Sequence, residues 1–131
     1  MTDKEKIKQF VQKTLGCRCP GEVFQSIDCR RHVPLSNDVV LHRAITIGNR
    51  LLIYVVEVGN RSSIEKHLAL LVSAGKSERD SNGLNRFRLV IVTDESPGNG
   101  KAIRRTFEEL REGDLKIHLH VISNNDKYLD F

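Results

Sequence analysis

The amino-acid sequence predicts an α/β domain, a mixed sheet of about five strands with helices covering its faces. Three observations carry this. Two nearly continuous apolar runs, Leu51-Leu52-Ile53-Tyr54-Val55-Val56 and Leu89-Val90-Ile91-Val92, have the length and branched-aliphatic content of strands buried on both faces. Gly48-Asn49-Arg50 joins the first run to a preceding strand-like segment, Val39 to Ile47, and reads as a hairpin connection. Segments with apolar residues at helical spacing alternate with the later strands, the pattern of strand-helix-strand crossovers.

Thr2-Asp3-Lys4-Glu5 has the form of a capping box, in which the Thr2 hydroxyl accepts from the backbone while Glu5 reaches back. Ile7, Phe10, Val11 and Leu15 follow on one helical face, and Gly16 supplies the stop. Pro20 suits the first position of a short helical turn that turns Val23, Phe24 and Ile27 inward. A short strand is expected from Ile27 to Val33, closed by Pro34 and the polar Ser36-Asn37-Asp38. In Val39 to Ile47, Leu41, Ile45 and Ile47 share a parity with Arg43, which predicts one mostly buried face. Leu51 to Val58 is apolar on both faces until Glu57, as expected in the middle of a sheet.

Ser62-Ser63-Ile64-Glu65 is a second capping box, opening a helix with Ile64, Leu68, Leu71 and Val72 inward. Lys76 to Arg86 is polar and contains Gly83, so it reads as a mobile loop or a frayed helical extension. Phe87 to Thr93 is a buried strand and Asp94 to Gly100 a loop. The next helix carries Ile103, Phe107 and Leu110 inward and ends near Gly113. Leu115 to Ile122 alternates Ile117, Leu119 and Val121 with Lys116, His118 and His120 and forms the last strand. From Asn124 a polar tail brings Tyr128, Leu129 and Phe131 as residues that can dock back. The order is helix, strand, hairpin, helix, strand, helix, strand, in one domain spanning residues 1–131.

Composition narrows the setting. A chain of 131 residues suits a single core, and with no Trp and few aromatics that core is mainly branched aliphatic. No segment approaches the ~18 to 20 apolar residues that span a bilayer, and the charged, amphipathic start lacks the apolar centre of a secretory signal. Three cysteines do not suit a closed disulfide framework, so a reducing cytoplasm is the expected home. The net charge of +4 is mixed with 17 acidic residues, a surface that tolerates nucleic acid without announcing it. The apolar third strand and the tail residues also leave a homo-oligomeric interface open.

The sharpest local feature is Cys17-x-Cys19-Pro20 followed by Cys29-x2-His32. Three thiols and an imidazole are the ligand set of a Cys3His site, suited to zinc or iron. A single residue between Cys17 and Cys19 is tighter than the usual spacing of paired ligands. The two thiols can also be read as a redox pair: Arg18 favours thiolate, a helix C-terminus opposes it, and the amides of a turn beginning at Pro20 would help Cys19. The plainer reading is small apolar side chains packed under the first helix. All three stay open.

A second candidate lies where the loop after the Phe87–Thr93 strand enters a helix. Gly98, Gly100 and Lys101 could bind an anion or a cofactor phosphate at the helix N-terminus. It is not a P-loop, because Glu95 replaces the first glycine and Ala102 the Ser or Thr that would hold magnesium. As a nucleotide signature this is weak, and an ordinary strand-to-helix turn is the preferred reading. His118 and His120 point to one face of their strand but lack a third ligand, so they are expected to be exposed polar-face residues. Arg30-Arg31 and Arg104-Arg105 are short basic pairs, the second on an outward helix face beside Glu108 and Glu109.

The order of one helix, three strands, helix and strand resembles the core of restriction-endonuclease-like nucleases. That resemblance implies an acidic residue near the start of the second strand, here Asp38, and Glu-x-Lys on the third, here Glu57-Val58-Gly59. The lysine is missing and Asn60-Arg61 is a poor substitute, which points to a catalytically degenerate relative. The segment Leu15-Gly16-Cys17-Arg18-Cys19-Pro20, with the Ile47–Val58 hairpin, resembles small prokaryotic proteins that share a Leu-Gly-Cys-x-Cys-Pro segment near the N-terminus. It implies an intracellular prokaryotic setting and no activity. The expectation from the sequence is therefore a non-enzymatic binding or accessory domain, with a degenerate nucleic-acid-processing domain as the alternative.

Overall fold

The computed structural model describes residues 3–16, 21–36, 39–58, 64–93 and 100–123. Helix α1 (Asp3–Gln9) continues into a π-helical segment (Phe10–Thr14) and is followed by a 3-10 turn (Gly21–Gln25). Then come β1 (Ile27–Pro34), β2 (Val40–Ile47), β3 (Leu51–Val58), α2 (Ile64–Ser81), β4 (Arg86–Thr93), α3 (Gly100–Leu110) and β5 (Ile117–Ser123). The strands form one five-stranded sheet in the order β1-β2-β3-β4-β5. The first three make an antiparallel meander, and β3, β4 and β5 run parallel. This is the mixed α/β sheet that the sequence predicts. The capping residues Thr2, Ser62 and Ser63 and the tail residues Tyr128, Leu129 and Phe131 lie outside the described residues.

Each face of the sheet has its own apolar layer. Consecutive crossovers of one hand place their helices on the same face. Leu68, Leu71 and Val72 of α2 and Ile103 and Phe107 of α3 accordingly share one cluster with Leu52, Tyr54, Val56, Phe87, Leu89 and Ile91. On the opposite face Ile7, Phe10, Val11 and Leu15 cover Ile45, Ile53, Val55, Val90 and Val92. Strand β3 is thus buried on both sides within the chain, and its apolar surface is not available for an oligomeric interface.

The π-helical segment follows from the spacing of the apolar residues. Residues five apart on an α-helix diverge by about 140°, so Phe10 and Leu15 would not share a face. In the wider turn the Leu15 N–H donates to the Phe10 carbonyl at 3.2 Å. Both side chains then reach the sheet, and Gly16, at φ 69°, ends the segment as expected.

Two expectations are corrected. Strand β2 does not keep one parity toward one layer: Leu41 belongs to the α2/α3 cluster while Ile45 and Ile47 belong to the other. The change falls where the ladder with β3 stops, at Arg43↔Val55, and opposite His32 of β1, whose φ of 51° breaks the regular strand. The stretch from Lys76 is regular helix to Ser81. Gly83, at φ 66°, closes it, with the Leu84 N–H donating to the Arg79 carbonyl at 2.8 Å in a Schellman arrangement. The polar residues are held there by partners on other elements. Glu78 accepts from Tyr54 Oη at 2.6 Å and pairs with Arg30, and Arg79 donates to Asp114 at 2.9 Å.

Candidate functional site

Strand β1 carries two of the four proposed metal ligands. Cys29, opposite Ile45, is half-buried against the layer formed by the N-terminal helix. His32 is exposed, and its ring meets the His42 ring edge-on at a centroid distance of 6.0 Å. Cys17 and Cys19 lie outside the described residues. Among the described residues no three His, Cys, Asp or Glu side chains gather closely enough to hold a metal ion.

At the end of β3, Glu57 is exposed and its carboxylate lies 3.4 Å from Nε2 of His42. Burial and the neighbouring Arg43 lower the His42 pKa, while Glu57 opposes them. Asp38, the acidic residue expected near the start of β2, lies outside the described residues, as does Gly98. Gly100 and Lys101 open α3, with Lys101 exposed to solvent. Arg104 and Arg105 are exposed on the same helix as expected, and Glu108 pairs with Arg111 at 3.1 Å.

A polar cleft of about 300 Å³ opens between the start of the meander and the end of α2, lined by Asp28, Arg30, Thr46, Asn49, Glu78, Asn82 and Leu84. Its firm point is Glu78, held by the hydroxyl of the buried Tyr54 and by Arg30. Burial, followed by the hydrogen bond to Glu78, raises the Tyr54 pKa well above the usual phenol range, so the phenol remains the proton donor.

The most unusual electrostatic feature is on the other face, at the N-terminal halves of β4 and β5. Arg86 and Arg88 are two residues apart on β4, and His118 and His120 two apart on β5, so each pair projects to one side. The parallel register places Arg88 opposite His118. Arg86 Nη1 lies 3.1 Å from His118 Nε2, and Arg88 Nη1 lies 2.9 Å from His120 Nε2. A guanidinium is always a donor, so both imidazoles accept at Nε2 and carry their proton on Nδ1. Burial, reinforced by Arg88, pushes the His120 pKa down to about 4, and the same causes lower that of His118. Arg88 also donates to the Leu15 carbonyl at 3.4 Å, but among the described residues its buried Nε finds no partner. Among the described residues no carboxylate forms an ion pair with Arg86 or Arg88.

The histidines are therefore not the freely exposed residues that the alternation predicts. They are half-buried and engaged by arginines from the adjacent strand. A signal was present in the sequence, since Arg86 and Arg88 alternate with Phe87 and Leu89 just as His118 and His120 alternate with Ile117 and Leu119. Among the described residues no helix is long and apolar enough to cross a membrane. No family model, no curated protein and no solved structure matches the chain.

Proposed function

We propose that this chain is a small non-enzymatic cytoplasmic binding or accessory domain, built on a sheet with a nuclease-like order of strands. The observation that carries the reading is the setting of Glu57. In the nuclease pattern the carboxylate of the third strand holds magnesium and a lysine two residues on positions the attacking water. Here Gly59 occupies the lysine's place, and the neighbour of Glu57 is the imidazole of His42. An order of strands alone carries no activity. The test is incubation of the full chain with magnesium or manganese and single- and double-stranded DNA and RNA. No cleavage is expected. Metal-dependent cleavage that disappears in Glu57→Ala would overturn the reading in favour of a working nucleic-acid-processing enzyme.

Within this reading Cys17, Cys19, Cys29 and His32 are a candidate zinc or iron site. It is supported by Leu15, two residues before Cys17 in the sequence, and Cys29 bordering the same apolar layer. Protein purified without chelator or a metal-binding tag should then carry about one metal ion per chain. Metal-free protein with three titratable thiols would make these cysteines packing residues.

A further inference from the structure

We propose that the Arg86, Arg88, His118 and His120 face is a binding site for a phosphate group. This goes beyond the binding-domain reading and rests on it only in that the ligand is held and not turned over. The geometry supplies the argument. Two guanidinium groups stand side by side on one strand, one at the exposed rim and one half-buried behind it. A protein ordinarily pairs a buried cation with a carboxylate, because an uncompensated charge away from water is costly. Among the described residues the partners are two neutral imidazoles and, for Arg88, the Leu15 carbonyl, which accept hydrogen bonds and supply no full negative charge. The buried Arg88 Nε–H finds no acceptor among the described residues, and its positive neighbour Arg86 adds repulsion. Among the described residues the arrangement supplies donors and no anion.

The imidazoles define what kind of anion fits. By holding Nη1 of each guanidinium they fix its plane, and with it the direction of the Nη2 N–H groups. A phosphate group, with several acceptor oxygens and up to two charges, can be shared between Arg86 and Arg88, whereas a single carboxylate neutralises one of them. The site lies at the N-terminal ends of the parallel strands, so it is separate from the Lys101 helix start and from Glu57, both at the opposite end. The phosphate can be free or part of a nucleic-acid backbone. The chemistry at Arg86 and Arg88 is the same.

The experiment is calorimetric titration of the full chain with inorganic phosphate and, separately, with a short oligothymidylate at two salt concentrations. Arg86→Ala and Arg88→Met are compared with the parent. Saturable binding of inorganic phosphate, weakened at least about tenfold in each variant as expected for loss of a charge-assisted hydrogen bond, supports the site and assigns it to a free phosphate group. Salt-sensitive binding of the oligonucleotide alone, weakened in both variants and with a shallower salt dependence, supports it and assigns it to a phosphodiester. Absence of binding to either probe, or binding that Arg86→Ala leaves unchanged, overturns the proposal. Arg86 is exposed, so that variant reports on binding even if Arg88→Met fails to fold. Neither outcome depends on Glu57, so the result is separable from the cleavage test.

Discussion

Arg79 Nη2 donates to Asp114 Oδ2 at 2.9 Å, joining the last turns of α2 to the loop that leaves α3. The Arg79 side chain is only 10% exposed and that of Asp114 21%, so the pair lies largely out of water. Asp114 also accepts from the Lys116 N–H at 2.9 Å and so shapes the entry into β5.

The Arg79 hydrogen bond holds the Asp114 carboxyl below its ordinary pKa of 3.8, against the opposing effect of burial. A lowered folded-state pKa means that the stabilisation is complete above the ordinary value and is lost as pH falls through the folded one. Asp114→Asn is expected to destabilise the protein at pH 7 by about 1–2 kcal/mol, since the buried guanidinium keeps the Asp80 carboxylate at 3.1 Å but loses that of Asp114. Its stability should also depend less on pH below about 4. Urea denaturation of both proteins at neutral and acid pH measures this; equal stability at both would refute the role given to the pair.

At Gly75 helix α2 packs directly on the ring of Phe87 in β4. A Cβ at this position would lie 2.2 Å from the ring of Phe87, which is fully buried and stacked edge-on against Tyr54 at 5.0 Å. Gly75→Ala is therefore expected to destabilise by about 1–3 kcal/mol through overpacking, despite the better helix propensity of alanine. Adding Phe87→Leu should recover part of the loss, a coupling that a double-mutant cycle by thermal denaturation would reveal.

Tyr54→Phe removes the donor to Glu78 Oε1 and leaves that carboxylate to Arg30. A destabilisation of about 1–2 kcal/mol is expected for loss of a part-buried hydrogen bond to a charged acceptor. Ultraviolet titration adds a second reading: the Tyr54 phenol should not ionise in the folded protein at pH 10, because burial and Glu78 raise its pKa. Ionisation at the ordinary phenol value would contradict the placement of the hydroxyl.

His120 should remain neutral in the folded protein at pH 6, titrating near 4, with its proton on Nδ1. Its unfolded value is near 6.5. Between the two the unfolded chain binds more protons, so stability falls as pH drops through this window. Nitrogen chemical shifts of the imidazole report both tautomer and pKa. In Arg88→Met the His120 pKa should rise, since Arg88 is second only to burial among the causes of its depression. An imidazole that titrates near 6.5 in the parent would exclude the proposed arrangement.

The elements of this fold are legible in the sequence because their signals are local. Period-two alternation, paired apolar runs and glycines at Gly16, Gly48 and Gly83 act within a few residues, and each glycine does adopt a positive φ. The π-helical segment was less legible, since Ile7, Phe10, Val11 and Leu15 look like an ordinary amphipathic helix until the sheet demands that Phe10 and Leu15 share a face. The polar run from Lys76 to Ser81 resembles a loop for a related reason: what keeps it helical comes from Tyr54, Arg30 and Asp114, distant in sequence.

By itself the sequence determined the α/β class, the hairpin and the identity of most core positions, because burial of an apolar side chain depends on pattern and not on a particular partner. Only the tertiary structure decided that Arg86 and Arg88 meet His118 and His120. That meeting depends on strand order and on the parallel register that sets Arg88 opposite His118. A shift of one residue in that register would turn the histidines to the other face. Polar chemistry of this kind requires two side chains within hydrogen-bond reach, and packing of the whole sheet is what brings them there.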